Sequence, residues 1–195
     1  MLLTFLSEKP TVKTTKYLLI LGSLLLISGF PIVIGLLELS NFPGTLNETQ
    51  LGFNGEYIRS MFSLMSNEEM MIFIIANLFD YVAMIAYGTF IFSSALILTR
   101  KLQEGSIWNQ LGYLIAITGI IAACCDGIEN IFLLMMASNP VNFPNYLAIL
   151  HSCFALFKFI LLYISMGWII LTVILIVSFR LVNYSALKRR SFVRS

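Results

Sequence analysis

The sequence predicts an all-α protein, a polytopic transmembrane four-helix bundle with its N and C termini in the cytoplasm. Three observations predict this fold. First, 58% of the 195 residues are hydrophobic and 11% are charged, whereas soluble domains are about 45–50% apolar and about 25% charged. Second, the apolar residues are gathered into four long runs. Third, nearly all basic residues flank those runs at one end, which sets the orientation of the chain.

The composition also excludes several classes of protein. A soluble chain of this length cannot bury so much apolar side chain, which rules out a soluble enzyme, a disordered chain and a disulfide scaffold. The net charge of +2, without a stripe of basic and aromatic residues, predicts no nucleic-acid partner. Cys124, Cys125 and Cys153 lie in apolar runs, and we interpret them as packing residues. Their spacing is unlike that of metal ligands, so the sequence predicts neither a metal nor a cofactor.

Each of the four runs reaches the roughly 20 residues that a helix needs to cross the hydrocarbon core of a bilayer. The first span covers about residues 17–39 and the second about residues 70–98. The third covers about residues 109–136 and the fourth about residues 146–179. Because the fourth run is longer than a bilayer is thick, we expect it to tilt or to continue as a helix into the cytoplasm. We assign residues 1–195 to a single transmembrane domain.

The basic residues predict the orientation of these spans. Of the 12 Lys and Arg residues, ten lie at one end of the spans, one at the other end and one inside a span. This bias places both termini in the cytoplasm and the long loop 40–69 outside, in a plasma, inner or organelle membrane. Lys188, Arg189 and Arg190 near the C terminus are interpreted as topology determinants that also contact anionic lipid.

The outer loop 40–69 carries two further patterns. Residues 57–65 have the composition of an amphipathic helix lying on the outer membrane surface. Asn47, Glu48 and Thr49 form a glycosylation sequon, which has meaning on the outer side of a eukaryotic membrane.

Five ionisable residues lie inside the predicted spans, where a charge at mid-bilayer costs about 2.5–3.5 kcal/mol on insertion scales. They are Asp80 in the second span, Asp126 and Glu129 in the third, and His151 and Lys158 in the fourth. All five fall in the outer half of the membrane, most within about two helical turns of one another. Their shared depth predicts that they form one cluster.

Helical periodicity turns these residues toward a common interior. In the second and third spans the polar residues share a face with small residues, while large aliphatic residues cover the opposite face, as expected of helices that pack closely in lipid. In the fourth span His151 and Lys158 recur seven residues apart. The predicted site residues are Asn77, Asp80 and Tyr87 in the second span, Asp126, Glu129 and Asn130 in the third, and His151 and Lys158 in the fourth.

The charges of this cluster do not balance by themselves. With His151 neutral, three carboxylates and one lysine leave a charge of −2 inside the membrane. We expect Lys158 to neutralise one acid, either Asp126 or Asp80, which are nearest to it in depth. The remaining charge requires protonated acids, a cationic His151, a bound cation or an amine-bearing ligand.

The motifs Asp80-Tyr81, Tyr87-Gly88 and Asp126-Gly-Ile-Glu129-Asn130, followed by Lys158, resemble a pattern in uncharacterised small four-helix membrane proteins of microbes. The architecture is also loosely similar to that of sterol-isomerase and sigma-2-receptor-like four-helix proteins. That similarity implies a pocket in the outer or luminal half of the membrane for amphipathic amines and sterols. This chain differs in having no acid in its first span before Glu38.

Three functions are compatible with these patterns. We favour an integral membrane protein that binds a small amphipathic or cationic ligand or a lipid between spans two, three and four, with acid/base chemistry on that ligand left open. The second is a structural or accessory subunit of a membrane complex, whose polar core fixes assembly. The third is a proton- or cation-coupled transporter acting as an oligomer. The expected partners are therefore the lipid bilayer, such a ligand, and a second copy or a larger membrane complex.

Overall fold

The structure, a computed structural model, describes residues 2–193, with side chains for residues 3–45 and 47–181. The described residues are mostly helical and include no strand, which confirms the all-α prediction. The helices are α1 (Leu2–Glu8), α2 (Val12–Leu39), α3 (Leu46–Leu51), α4 (Gly55–Ser63), α5 (Asn67–Thr99), α6 (Ile107–Ser138) and α7 (Asn145–Val193).

Four of these helices, α2, α5, α6 and α7, are long and apolar enough to cross a membrane. Each predicted span lies within one of them. Helix α7 continues well past residue 179, as its excess length predicts. The side chains of Lys188, Arg189 and Arg190, to which we assign lipid contacts, lie outside the described side chains.

Polar caps mark the starts of α5 and α6. The Ser66 hydroxyl accepts a hydrogen bond from the backbone N–H of Glu69, and the Glu69 carboxylate accepts one from the backbone N–H of Ser66. This capping box satisfies two donors at the start of α5. Ser106 caps α6 in a similar way by accepting from the Asn109 N–H. The long loop after α2 therefore ends at residue 66, three residues before the predicted end of the loop 40–69.

The four long helices pack in chain order. Helix α2 packs chiefly on α5, α5 on α6 and α6 on α7, whereas α2 and α7 make at most marginal contact. Glycines allow the closest approaches: a Cβ on Gly22 of α2 would lie 2.9 Å from the Phe90 nitrogen, and one on Gly88 of α5 would lie 2.8 Å from the Ala123 Cβ. Close packing of this kind stabilises helix pairs in lipid.

The segment between α2 and α5 folds over one end of the bundle, which we call the loop end. Here the Phe62 ring lies 5.5 Å from that of Phe73 and 6.4 Å from that of Phe143, measured between ring centres. Ile58 and Phe62 of α4 are 1% and 2% exposed. The predicted amphipathic helix thus exists, but its apolar face is buried against protein rather than against a membrane surface.

Hydrogen bonds hold this segment against the start of α7. The Phe53 N–H donates to the Ser152 hydroxyl at 3.1 Å, and the Gly55 N–H donates to the Asn145 side-chain oxygen at 2.9 Å. The Arg59 guanidinium donates to the carbonyl oxygen of Phe143 at 3.0 Å. These three contacts place α3 and α4 over the polar interior of the bundle.

Within the loop, Glu48 of α3 is tied to α4. The Tyr57 hydroxyl donates to the Glu48 carboxylate at 2.8 Å, and the Thr45 hydroxyl donates to the same oxygen at 2.8 Å. These donors favour the ionised carboxylate, the Tyr57 contact most, and hold the pKa of Glu48 below its ordinary value. The third residue of the sequon, Thr49, has a buried side chain, whereas Asn47 is exposed.

Candidate functional site

One lysine and two carboxylates form the centre of the polar interior. The Lys158 ammonium lies 2.9 Å from Asp126 Oδ1 and 2.5 Å from Glu129 Oε2. Asp126 and Glu129 are one helical turn apart on α6, so both carboxylates face the same lysine of α7. All three side chains are almost fully buried. Such burial of charge is tolerated in a folded protein when the charges are paired.

Tyr87 of α5 supports the Asp126 carboxylate from the opposite side. Its hydroxyl lies 2.9 Å from Asp126 Oδ2 and 3.2 Å from the carbonyl oxygen of Ala122. Asp126 therefore has a partner on each oxygen, the lysine on Oδ1 and the tyrosine on Oδ2. This arrangement links α5, α6 and α7 through one side chain.

Asp80 of α5 has a different environment. Its Oδ2 accepts a hydrogen bond of 2.8 Å from the Asn130 amide on α6. Among the described side chains, no Lys, Arg or His nitrogen lies within ion-pair distance of this carboxylate. Asp80 is also less buried than Asp126 or Glu129. It is therefore the acid of the cluster that is best placed to meet a ligand.

His151 lies behind the lysine and its two acids, on the loop-end side of α7. Its side chain is fully buried, with Nδ1 at 3.2 Å from the backbone oxygen of Glu129 and Nε2 at 4.0 Å from Glu129 Oε1. The hydroxyl of the neighbouring Ser152 accepts a hydrogen bond from the Phe53 N–H, in the connection between α3 and α4. His151 is thus enclosed between the bundle and the folded loop.

A cavity of about 370 Å³ joins most of these polar side chains. Its volume falls at the small end of the range for ligand sites. The opposite wall is apolar and comes from α2 and α7, which hardly touch each other. The polar lining is formed by Asn77, Asp80, Tyr87, Asp126, Asn130 and Lys158, the apolar wall includes Phe30, Val33, Ile34, Leu37, Phe159 and Leu162, and the loop contributes Thr49 and Gln50.

The structure brings together the residues that the sequence singles out, with differences in pairing. Six of the eight line the cavity, and the other two, Glu129 and His151, lie behind it. Lys158 pairs with Asp126, one of the two expected partners, but also with Glu129 and not with Asp80. The reason is that Glu129 shares the α6 face of Asp126, whereas the Asn130 amide engages Asp80 instead. Asn77 donates to the Phe73 carbonyl of its own helix at 2.7 Å.

Several lining residues carry no signal in the sequence. Thr49 and Gln50 reach the cavity because α3 folds back over the bundle, and loop composition does not predict that path. The sequence also gives no sign that α2 forms the apolar wall, since the α2 residues of the wall resemble any lipid-facing aliphatic side chain. The α2 residues line the cavity because α2 and α7 stand apart from each other.

The cysteines lie away from this cavity. All three are free, and Cys124 is exposed on the bundle surface, where it borders an apolar groove of about 310 Å³ with Met84, Phe92 and Ile120. Packing inside the bundle is therefore not the role of Cys124. Within the described residues, no group of three His, Cys, Asp or Glu side chains is placed to hold a metal ion.

Comparisons with protein-family models, with curated proteins and with solved structures found no match. The resemblance to small microbial four-helix proteins therefore stays a prediction. The function has to be argued from the geometry of the cavity and its charges.

Proposed function

We propose that this protein binds a small amphipathic molecule with a cationic group, in a cavity that opens toward the membrane. The observation that carries the proposal is the cavity of about 370 Å³ that joins Asp80, Asp126 and Lys158 to an apolar wall. A polar network that served assembly alone would be expected to be closely packed and fully paired. Here the acid without a cation partner, Asp80, borders open space instead.

The charges support a cationic rather than an anionic ligand. Lys158 already contacts two carboxylates, so its positive charge is compensated. Asp80 has an amide partner and no cation among the described residues. An ammonium group on Asp80, with its apolar part against the α2 and α7 wall, would satisfy both surfaces of the cavity.

The packing supports entry of the ligand from the bilayer. Helices α2 and α7 both line the cavity but make at most marginal contact with each other. Separating them would break few interactions, whereas α5 and α6 are held together at Gly88 and by the Asp80–Asn130 hydrogen bond. We also propose that the loop end faces the outside and both termini the cytoplasm, on the strength of the ten basic residues at the other end.

A binding experiment with octylammonium tests the proposal. The full chain in lipid nanodiscs is titrated with octylamine, and its thermal unfolding is followed, because a ligand that binds the folded state raises the unfolding midpoint. Octanol and octanoate serve as neutral and anionic probes of the same length. Of the three probes, we expect only octylammonium to raise the unfolding midpoint of the wild type.

Two pairs of variants distinguish binding in the cavity from a general effect of the amine on the membrane. Asp80→Asn should abolish the octylammonium shift, whereas Glu68→Gln, at an exposed carboxylate on the same helix, should retain it. Val33→Phe should fill the cavity from α2 and also abolish the shift, whereas Ile32→Phe, at a neighbouring exposed position, should not. The proposal would be overturned if octylammonium shifted Asp80→Asn and the wild type equally, or if it shifted neither the wild type nor any variant. Either result would favour the accessory-subunit alternative.

A further inference from the structure

The buried contact between Glu129 and His151 has a consequence for the charge of the cavity. The ring nitrogen Nδ1 of His151 lies 3.2 Å from the backbone oxygen of Glu129. A carbonyl oxygen only accepts hydrogen bonds, so Nδ1 must carry the hydrogen in this contact. A neutral His151 in this tautomer presents a lone pair at Nε2.

That lone pair faces another acceptor. Nε2 lies 4.0 Å from Glu129 Oε1, and both side chains are 0% exposed. Neither atom has a hydrogen-bond partner within 3.5 Å among the described residues, and the backbone of Thr49 also lies close to the His151 ring. An ionised Glu129 and a neutral His151 would thus direct lone pairs at each other in a dry interior, which is unfavourable for both groups. One proton on either residue removes this opposition: at 4.0 Å a cationic His151 attracts an ionised Glu129, and a protonated Glu129 no longer repels the neutral ring.

We infer that Glu129 and His151 carry one proton between them, so that with Asp80 ionised the cluster has one uncompensated charge, on Asp80. The ionisable groups that face this pair are Lys158 of α7, Asp126 of α6, and Asp80 and Tyr87 of α5. Asp126, Glu129, Lys158 and the shared proton sum to zero whichever of the two residues holds the proton. Asp80 then contributes a net charge of −1.

This charge count narrows the ligand class, and to that extent it rests on the proposed function. One monovalent cation on Asp80 brings the cavity to neutrality. A second positive charge would be buried without a partner, which is costly in a low-dielectric site. The cavity should therefore select a monocation with an apolar tail over a dication of similar length.

The proton can be detected without any ligand. His151 is the only histidine in the chain, so selective ¹⁵N-histidine labelling gives one side-chain spectrum for the protein in nanodiscs at neutral pH. Infrared spectroscopy of the same samples reports protonated carboxyl groups. We expect either a cationic imidazole with both nitrogens protonated, or a carboxylic-acid band that is lost in Glu129→Gln and kept in Glu68→Gln.

A neutral His151 together with no carboxylic-acid band that depends on Glu129 would overturn the inference, and would instead indicate a bridging water. Because Glu129→Gln can be read only if it folds, His151→Gln supplies a second variant, in which the proton-dependent signal must also change. Where the wild type shows the carboxylic-acid band, an unchanged band in His151→Gln would contradict sharing between the two residues; where it shows a cationic imidazole, Glu129→Gln should return the ring to the neutral form, and a ring that stays cationic would contradict it.

The expected preference for a monocation is tested separately with 1,8-diaminooctane, a dication of the same chain length as octylammonium. We expect 1,8-diaminooctane to require a concentration at least about tenfold higher than octylamine for the same thermal shift, because its second charge would be buried without a partner. Equal potency of the two amines would contradict the charge count. Detection of the proton without any octylammonium binding would instead leave the shared proton standing and remove the proposed function.

Discussion

Lys158 of α7 holds Asp126 and Glu129 of α6 at once, with its ammonium 2.9 Å from the aspartate and 2.5 Å from the glutamate. The two acids therefore depend on one cation. Removing the lysine leaves both buried acids without this partner, whereas removing one acid leaves Lys158 in contact with the other. This asymmetry gives the first prediction.

Lys158→Gln should destabilise the protein much more than Asp126→Asn. Loss of one partner of a buried pair costs about 3–5 kcal/mol, and Asp126→Asn retains the Lys158–Glu129 contact. The combination Asp126→Asn with Lys158→Gln should be milder than the sum of the two changes, because the residues interact directly. Thermal unfolding in nanodiscs measures all three variants. Strict additivity would mean that the two residues do not depend on each other for stability.

Tyr87→Phe should weaken the link between α5 and α6. The substitution removes the hydroxyl that donates to Asp126 Oδ2 at 2.9 Å and leaves that oxygen with no described partner. Hydrogen bonds to charged groups contribute about 1.5–3 kcal/mol, and a loss of this size is expected in unfolding measurements. Tyr163→Phe is the control, since its ring is 75% exposed. Similar unfolding midpoints for the two variants would rule out a stabilising Tyr87–Asp126 contact.

Gly22→Ala should separate α2 from α5, while Gly35→Ala on the same helix should not. A Cβ at Gly22 would lie 2.9 Å from a backbone nitrogen of α5, whereas a Cβ at Gly35 meets nothing within 4 Å. Overpacking of this kind costs about 1–3 kcal/mol. The comparison of both variants in a thermal unfolding assay controls for the helix propensity of alanine. Equal stability of the two would contradict the close approach of α2 and α5.

Asn145→Ala should loosen the loop that covers the cavity. It removes the oxygen that accepts from the Gly55 N–H at 2.9 Å, so hydrogen exchange at Gly55 should become faster by about tenfold, which corresponds to roughly 1.4 kcal/mol. Asn142→Ala alters an exposed residue of the same connection and should leave the exchange rate unchanged. If Gly55 exchanges equally in both variants, the Asn145 contact does not hold the loop.

The helices and the inward direction of the charged residues were predictable from the sequence. Each apolar run is long enough to cross a bilayer. Within lipid, a single continuous run can satisfy its backbone N–H and C=O groups only by forming a helix. Periodicity then indicates which side of each helix is polar, so Asp80, Asp126 and Lys158 were expected to face one interior. These predictions depend on properties local to each helix, which is why a single sequence contains them.

The pairing inside the cluster, and the cavity itself, were decided by the tertiary structure. Whether Lys158 reaches Asp80 or Glu129 depends on the rotation of α7 relative to α6, and shifts of a few ångströms change the partner. The enclosure of His151 and the positions of Thr49 and Gln50 depend on how the segment between α2 and α5 folds back over the bundle. The open space beside Asp80 exists because α2 packs on α5 and not on α7. Such distances between helices arise from many packing contacts at once, and no segment of the sequence carries them alone.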